Sequence, residues 1–134
     1  MSNRHTVLLA EDQIGYRLPI QHFLEDEGFH VIPAEDVDRV WEYGPVADAL
    51  VVDVRLPSGR LEGIDVVARL ITEKQLSPEV PIIFISVHDQ TDEMCQNKLR
   101  EFPGRKERYT WLQKPFELEL LVSTIRDKIP NRNG

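Results

Sequence analysis

The chain has 134 residues, of which 41% are hydrophobic and 29% are charged, and its formal net charge is −7. This length and composition predict one domain with a substantial core, and they exclude wholesale disorder. The acidic balance argues against broad binding to nucleic acid or to an anionic membrane.

The sequence also bears on the compartment in which the protein works. The N-terminus lacks the basic and apolar regions of a signal peptide, and no apolar stretch approaches the ~18 residues that span a bilayer. The single cysteine, Cys95, has no intramolecular disulfide partner, which fits a reducing compartment. We therefore expect a cytoplasmic domain over residues 1–134, with its core at about 5–129 and a frayed tail at 130–134.

Five short apolar runs predict β-strands. Most contain β-branched or aromatic residues without polar alternation, which is typical of strands buried on both faces of a sheet. The runs are TVLLA (6–10), FHVIPA (29–34), ALVVDV (49–54), PIIFISV (81–87) and YTWLQ (109–113).

The segments between these runs have helical periodicity. Apolar residues recur at i, i+3, i+4 and i+7 over 64–71, and a similar stripe continues for three turns over 118–129. A shorter stripe covers 37–41, and a weaker one covers 95–102. These four segments predict amphipathic helices.

The first helix is predicted over 14–27, where Gly28 ends it. Pro19 lies inside this segment and has no backbone N–H to donate. We therefore expect either a late helix start or a kink.

Alternation of strands and helices predicts the fold class. Five strand–helix units, (βα)5, favour a five-stranded parallel sheet that is doubly wound, with right-handed crossovers and helices on both faces, giving three α/β/α layers. Ligands of such sheets bind beyond the carboxyl ends of the strands.

Polar residues follow four of the predicted strands at that edge. They comprise three carboxylates, one hydroxyl and one ammonium group. They are Glu11 and Asp12 after the first strand, Asp53 at the third, Ser86 at the fourth and Lys114 after the fifth.

This set of groups predicts metal-assisted phosphoryl transfer onto a carboxylate. Closely spaced carboxylates repel one another unless a cation lies among them, and Mg²⁺ prefers such oxygen ligands while leaving room for a phosphate oxygen. A lysine and a hydroxyl suit the remaining phosphoryl oxygens. Aspartate is a known phosphoryl acceptor.

Four motifs carry a family resemblance. AED (10–12), VVDVRLPSG (51–59) with Gly63 beyond it, FISV (84–87) and LQKPF (112–116) resemble the motifs of the response-regulator receiver family of two-component signalling. The resemblance covers residue 5 to about 129, and it implies the flavodoxin-like strand order 2-1-3-4-5 known for the family's chemotaxis member.

The resemblance also implies the roles of the acidic residues. Asp53 is the phosphoacceptor, which takes its phosphoryl group from a sensor histidine kinase or a histidine phosphotransfer protein. Glu11, Asp12 and Asp53 bind Mg²⁺ or Mn²⁺ together with the backbone carbonyl of Arg55.

The remaining roles concern the phosphoryl group and the signal. Lys114 pairs with a phosphoryl oxygen, and its peptide bond to Pro115 is cis. Ser86 bonds another oxygen and moves toward it, and Trp111 takes the place of the switch aromatic. The resemblance implies output to a downstream protein through the fourth helix, fifth strand and fifth helix.

Three residues depart from the pattern or border the site. Val87 follows Ser86 where the family tends to have a small residue, while Arg55 and His88 lie two positions beyond Asp53 and Ser86. We hypothesise that Arg55, Val87 and His88 set the phosphoryl lifetime. The alternative for Arg55 and His88 is a solvated loop side chain.

Two segments are longer than the family's usual ones, at 57–63 and 100–111. The second segment and the helix before it are basic, which predicts either solvated loop charge or a partner-docking patch. The residues concerned are Lys98, Arg100, Arg105, Lys106 and Arg108.

The resemblance implies a phosphoacceptor that catalyses only its own phosphorylation and slow dephosphorylation. Three other functions are alternatives to it. A pseudo-receiver would be an interaction module that works without phosphorylation. A phosphatase of the haloacid-dehalogenase type needs a second aspartate where Arg55 stands, and a nucleotide-binding flavodoxin-like protein needs a glycine-rich loop after the first strand. No effector domain is expected after residue 134, so a stand-alone receiver and an excised domain both stay open.

Overall fold

A computed structural model describes residues 4–56, 62–104 and 108–130. Within them, strands and helices alternate along the chain. The elements are β1 (Thr6–Ala10), α1 (Ile14–Asp26), β2 (His30–Ala34), α2 (Val37–Tyr43), a 3₁₀ turn (Gly44–Val46), β3 (Ala49–Asp53), α3 (Glu62–Glu73), β4 (Ile82–Ser86), α4 (Glu93–Arg100), β5 (Tyr109–Gln113) and α5 (Leu118–Lys128).

The described strands form one parallel sheet in the order β2-β1-β3-β4-β5, which confirms the predicted fold class and strand order. Its register aligns the carboxyl ends of the strands at one edge. Ala10 pairs with Ala34 and Val52, and Ser86 pairs with Gln113. The residues that follow β1, β3, β4 and β5 therefore lie close together.

The sheet is packed on both faces, which explains the continuous apolar runs of the sequence. Every residue of β3 and β4 is buried. Leu50, Val52 and Phe84 belong to the core beneath α2, α3 and α4. Val51 and Ile83 face the opposite way, into the core beneath α1 and α5. The α/β/α layering is thus confirmed.

Helix α1 starts at Ile14, the first residue of the predicted segment, and it includes Pro19. Of the two alternatives a late start was therefore wrong, and a kink at Pro19 stays a prediction. The N–H that proline lacks would bond to Gly15, close to the helix start, while Tyr16 and Arg17 both donate to the carbonyl of Gln13. Loss of one bond near the helix start does not prevent the helix from forming.

Some predictions fall on residues that the structure does not describe. They concern most of the long segment 57–63, Arg105 and Lys106, and residues 131–134 of the expected tail. Among the described residues, no helix has the length and apolar composition to cross a bilayer.

Gly63 lets α3 approach the end of β3 closely. Its backbone N–H donates to the carbonyl of Val54 at 3.0 Å. A Cβ at this position would overlap the backbone carbonyl oxygen of Asp53. The glycine of the sequence motif is therefore explained by packing, because a side chain here would push α3 away from the carboxyl edge of the sheet.

We expect Gly63→Ala to lower the free energy of unfolding by about 1–3 kcal/mol, the usual cost of overpacking. Gly15→Ala is the matched control, since Gly15 is exposed in α1 and a Cβ there meets nothing within 4 Å. It should be neutral or stabilise by up to about 1 kcal/mol. Urea unfolding of both variants measures this, and equal stabilities would contradict the packing argument.

Candidate functional site

Three carboxylates meet at the carboxyl edge of the sheet. Glu11 and Asp12 follow β1, and Asp53 ends β3. One carboxylate oxygen from each lies within 4.8 Å of the others. Glu11 is fully buried, whereas Asp12 is exposed. The adjacent carboxylates of Glu11 and Asp12 thus point in different directions, one into the protein and one toward solvent. Together with Asp53 they could hold a hard divalent cation.

Lys114 compensates the buried carboxylates. Its Nζ donates to Glu11 Oε1 at 2.5 Å and to Asp53 Oδ2 at 2.8 Å, and only 3% of its side chain is exposed. Its backbone N–H donates to the carbonyl of Ser86 at 2.7 Å, and its peptide bond to Pro115 is cis. One ammonium group therefore faces two buried carboxylates. When both are ionised their negative charge exceeds its positive charge, so the site favours a further cation.

Within this site, the surroundings shift the pKa values of Glu11 and Lys114. Burial raises the pKa of Glu11 from its ordinary 4.5 to about 7, although the hydrogen bond from Lys114 opposes the shift. Burial lowers the pKa of Lys114, but its hydrogen bonds to Asp53 and Glu11 outweigh burial and leave that pKa above its ordinary value. Near neutral pH Lys114 is therefore charged, while Glu11 is partly protonated when no metal is bound.

The Asp53 carboxylate is held at both oxygens. Oδ1 accepts the backbone N–H of Arg55 at 2.8 Å, and Oδ2 accepts Lys114. The side chain is 10% exposed and opens onto a cleft of about 230 Å³. The cleft is lined by Asp12, Gln13, Asp53, Arg55, Leu56, Ser86, Val87 and Lys114. A carboxylate with a fixed direction and access to a cleft is suited to accept an incoming group.

The backbone of His88 connects Ser86 to Trp111. The hydroxyl of Ser86 is buried and accepts the N–H of His88 at 2.9 Å. The backbone carbonyl of His88 accepts the indole N–H of Trp111 at 3.1 Å. Sequence spacing did not reveal this bridge, because its middle link is the backbone of His88, whose side chain takes no part in it.

The three predicted lifetime residues are placed differently. Val87 is 57% exposed and lines the cleft together with Arg55. His88 instead directs Nδ1 toward Asp92 at 3.7 Å, at the N-terminal end of α4. The structure therefore brings two of these side chains to the cleft.

Tyr16 is a site residue that sequence reasoning missed. The Nζ of Lys114 lies 4.0 Å from the centroid of its ring. Its only signal in the sequence was its place in the first turn of a helix that starts beside two carboxylates. Helix α1 also supplies Arg17, whose guanidinium donates to the backbone carbonyl of Glu11 at 3.2 Å.

The described basic residues near α4 have partners within the chain. Lys98 pairs with Asp65 at 2.7 Å, and Arg108 donates to the carbonyl of Ser77 at 2.7 Å. Arg100 donates to a side chain of its own helix. Lys98 is therefore paired with a carboxylate, whereas Arg100 and Arg108 donate to neutral oxygens, and a partner-docking patch stays a prediction.

The family model of the response regulator receiver domain matches residues 7–126. The chain belongs to the response-regulator receiver family. This result confirms the resemblance carried by the four motifs. Members of the family act in two-component signalling with histidine kinases or phosphotransfer proteins, and they bind Mg²⁺ at an acidic pocket.

Similar proteins agree on the domain and the fold. A cyclic di-GMP phosphodiesterase of Thermotoga maritima is 32% identical over 127 residues, which cover 95% of this chain and 32% of that protein. The chain spans about half of several other curated relatives. Chemotaxis protein CheY4 of Vibrio cholerae superposes with a TM-score of 0.76 at 23% identity, covering 94% of this chain and 99% of that one.

A second solved structure is the receiver domain of a sensor histidine kinase from Pseudomonas aeruginosa, which has a magnesium ion coordinated in its active-site cleft. It superposes with a TM-score of 0.75 at 22% identity, covering 93% of this chain and 97% of that one. At this level of identity the likeness shows the fold.

The raised pKa of Glu11 makes metal binding depend on pH. The folded protein favours the neutral carboxyl, so a metal ion has to displace a proton below about pH 7. We expect the apparent Mg²⁺ affinity to rise about tenfold between about pH 6 and about pH 8. Calorimetric titration measures the affinity, and the proton released is read from its dependence on buffer.

The same shift predicts a trend in stability without metal. A raised carboxyl pKa contributes stability that is present below the ordinary pKa of 4.5 and is lost as pH rises through about 7. Glu11→Gln is the control and should abolish both pH effects. Equal Mg²⁺ affinities of the wild type at the two pH values would contradict the assignment.

Proposed function

We propose that this receiver domain accepts a phosphoryl group on Asp53 from a phosphohistidine of a sensor histidine kinase or a histidine phosphotransfer protein. The observation that carries the proposal is the carboxylate of Asp53 at the cleft, held by Lys114 and grouped with Glu11 and Asp12. This arrangement supplies an oriented nucleophile, a buried cation and a set of metal ligands in one place.

The donor set fits a hard divalent cation. Three carboxylates converge, and the one that is fully buried has a raised pKa that a cation would lower. Mg²⁺ or Mn²⁺, bound by Glu11, Asp12, Asp53 and the backbone carbonyl of Arg55, would supply positive charge against the phosphoryl oxygens. The magnesium ion in the Pseudomonas aeruginosa domain supports this choice.

The transfer uses groups that are already in place. A carboxylate oxygen of Asp53 attacks phosphorus while the bond to the imidazole nitrogen breaks, and the electron pair of that bond goes to the imidazole. The ammonium of Lys114 then donates to a phosphoryl oxygen, which now carries the negative charge, and the hydroxyl of Ser86 donates to another phosphoryl oxygen. Slow hydrolysis of the acyl phosphate resets the domain, at a rate that we assign to Arg55 and Val87, which line the cleft.

The bridge through His88 gives this chain a route for output. When the hydroxyl of Ser86 turns to a phosphoryl oxygen, it releases the N–H of His88 and changes the position of the carbonyl that holds Trp111. Trp111 lies on β5 beside α4, so the surface formed by α4, β5 and α5 shifts between two populations. We propose that this surface binds a downstream protein rather than nucleic acid or a membrane, in the cytoplasm.

The other functions have less support. A pseudo-receiver has no need of the acceptor, lysine and three carboxylates that the fold brings together here. Arg55 occupies the position at which a dehalogenase-type phosphatase needs its acid. The proposed chemistry is modification of the protein itself.

Intact mass spectrometry after incubation with acetyl phosphate, or with phosphoramidate as a mimic of phosphohistidine, tests the acceptor. We expect one phosphoryl adduct that is lost with Asp53→Asn and with EDTA. Asp26→Asn is the matched control, since Asp26 is exposed at the far end of α1 and should leave the adduct intact. An adduct that survives Asp53→Asn, or no adduct from either donor, would contradict the proposal.

The two tryptophans offer an internal test of the switch. We expect the indole N–H proton signal of Trp111 to shift in magnetic resonance spectra when Mg²⁺ and fluoroberyllate are added. The signal of Trp41 should stay unchanged, because this ring lies against the cationic groups of Arg69 and Lys74 on another surface. Ser86→Ala should suppress the shift. Equal responses of the two indoles would argue against the route through His88.

A further inference from the structure

The ring of Tyr16 lies against the ammonium group of Lys114, with Nζ 4.0 Å from the ring centroid. We propose that Tyr16 is a positioning residue for phosphoryl transfer, because it holds Lys114 where its ammonium meets the phosphoryl oxygens. The inference rests on the proposed function, and the experiment below separates the two.

The ring gives the ammonium a neighbour that the reaction does not alter. Two of the three N–H donors of Lys114 point to Glu11 and Asp53. The face of an aromatic ring is negative and attracts a cation at this distance, the more so where water is excluded. Glu11 and Asp53 are both expected to bind the metal, whereas the aromatic face of Tyr16 offers no oxygen ligand to Mg²⁺.

Exposure shows which group covers the other. The side chain of Lys114 is 3% exposed although it borders an open cleft, while Tyr16 is 37% exposed. The ring therefore shields the ammonium from solvent on one side. An ammonium without this cover would be better hydrated and would interact less strongly with a phosphoryl oxygen.

The backbone ties the ring to the carboxylates. Tyr16 is the third residue of α1, and its N–H donates to the carbonyl of Gln13 at 3.0 Å. The N–H of Gln13 in turn donates to Glu11 Oε2 at 3.1 Å. Glu11, Gln13, Tyr16 and Lys114 thus form a closed circuit of contacts, which places the ring relative to the ammonium.

The circuit explains why the ring matters during transfer. When Asp53 becomes an acyl phosphate, its carboxylate loses charge and the hydrogen bond of Lys114 passes to a phosphoryl oxygen. The contact with Tyr16 does not involve Asp53, so it persists through this exchange. It limits how far the ammonium moves when one of its two carboxylate partners changes.

Two variants separate the ring face from the hydroxyl and from apolar bulk. Tyr16→Phe keeps the aromatic face, and Tyr16→Leu keeps much of the apolar bulk without it. In magnetic resonance spectra of the unphosphorylated protein, the protons next to the Lys114 ammonium should be shielded by the ring current. This shift should persist in Tyr16→Phe and disappear in Tyr16→Leu.

The rate of phosphorylation by acetyl phosphate at saturating Mg²⁺ is the functional readout. A small donor removes any effect of kinase docking on α1. We expect Tyr16→Phe to stay within about twofold of the wild type and Tyr16→Leu to be about fivefold slower, the size of a modest cation–π contribution. Affinity for fluoroberyllate should fall by a similar factor.

Controls confine the effect to Lys114. Leu18→Ala changes another exposed apolar residue of α1 and should leave the rate unchanged. The Mg²⁺ affinity of Tyr16→Leu should stay within about twofold of the wild type if the carboxylates keep their places. Tyr16→Ala should behave like Tyr16→Leu, which guards against an artefact of the leucine side chain.

Each outcome bears on a stated claim. No adduct in the wild type with either small donor would overturn the proposed function. An adduct that forms equally fast in the wild type and in Tyr16→Leu would overturn the positioning role alone. A loss of rate in Tyr16→Phe as large as that in Tyr16→Leu would also overturn it, because it would assign the effect to the hydroxyl.

Discussion

The contact of one buried ammonium with two buried carboxylates is the constraint on which this structure depends. Lys114 is 103 residues from Glu11 and 61 from Asp53 along the chain, so the trio forms only when β1, β3 and β5 share one sheet. Taking three charges out of water is costly, and pairing repays this cost only in part. Since one cation faces two carboxylates, the trio carries a net negative charge when both carboxylates are ionised, and this charge attracts a further cation.

In the proposed function, the same excess of negative charge links the chemistry of the cleft to the signal. Phosphorylation would convert the Asp53 carboxylate into an acyl phosphate, a mixed anhydride whose phosphoryl group is more highly charged, so the donors around it would gain new acceptor oxygens. Ser86 is the donor that can turn, and its present hydrogen bond joins it to the loop that also holds Trp111. A change of one hydroxyl direction at the cleft can therefore reach β5 and α4 through a single residue of backbone.

Close packing around the site is as necessary as its charges. Gly63 allows α3 to approach the backbone of Asp53. On the other face of the sheet α1 begins at the site and places the ring of Tyr16 against Lys114.

The chain spans only about a third to a half of the length of several curated relatives, which are named for different activities. In the proposed function, the chemistry belongs to the cleft, whereas the pathway is determined by what the surface of α4, β5 and α5 contacts.

The sequence by itself determined the elements, the parallel sheet and the identity of the groups at the cleft, because periodicity and strand ends are local features and parallel strands collect their carboxyl ends at one edge. The strand order came from the family resemblance of the four motifs. Asp53, Lys114 and the acidic pair could be predicted in this way. Only the tertiary structure decided that Glu11 turns inward while Asp12 faces solvent, that Pro19 lies within α1, and that the His88 side chain points to Asp92. It also revealed the backbone bridge to Trp111 and the ring of Tyr16 over Lys114. These features depend on side-chain directions and backbone contacts between segments far apart in the chain, which no local pattern encodes.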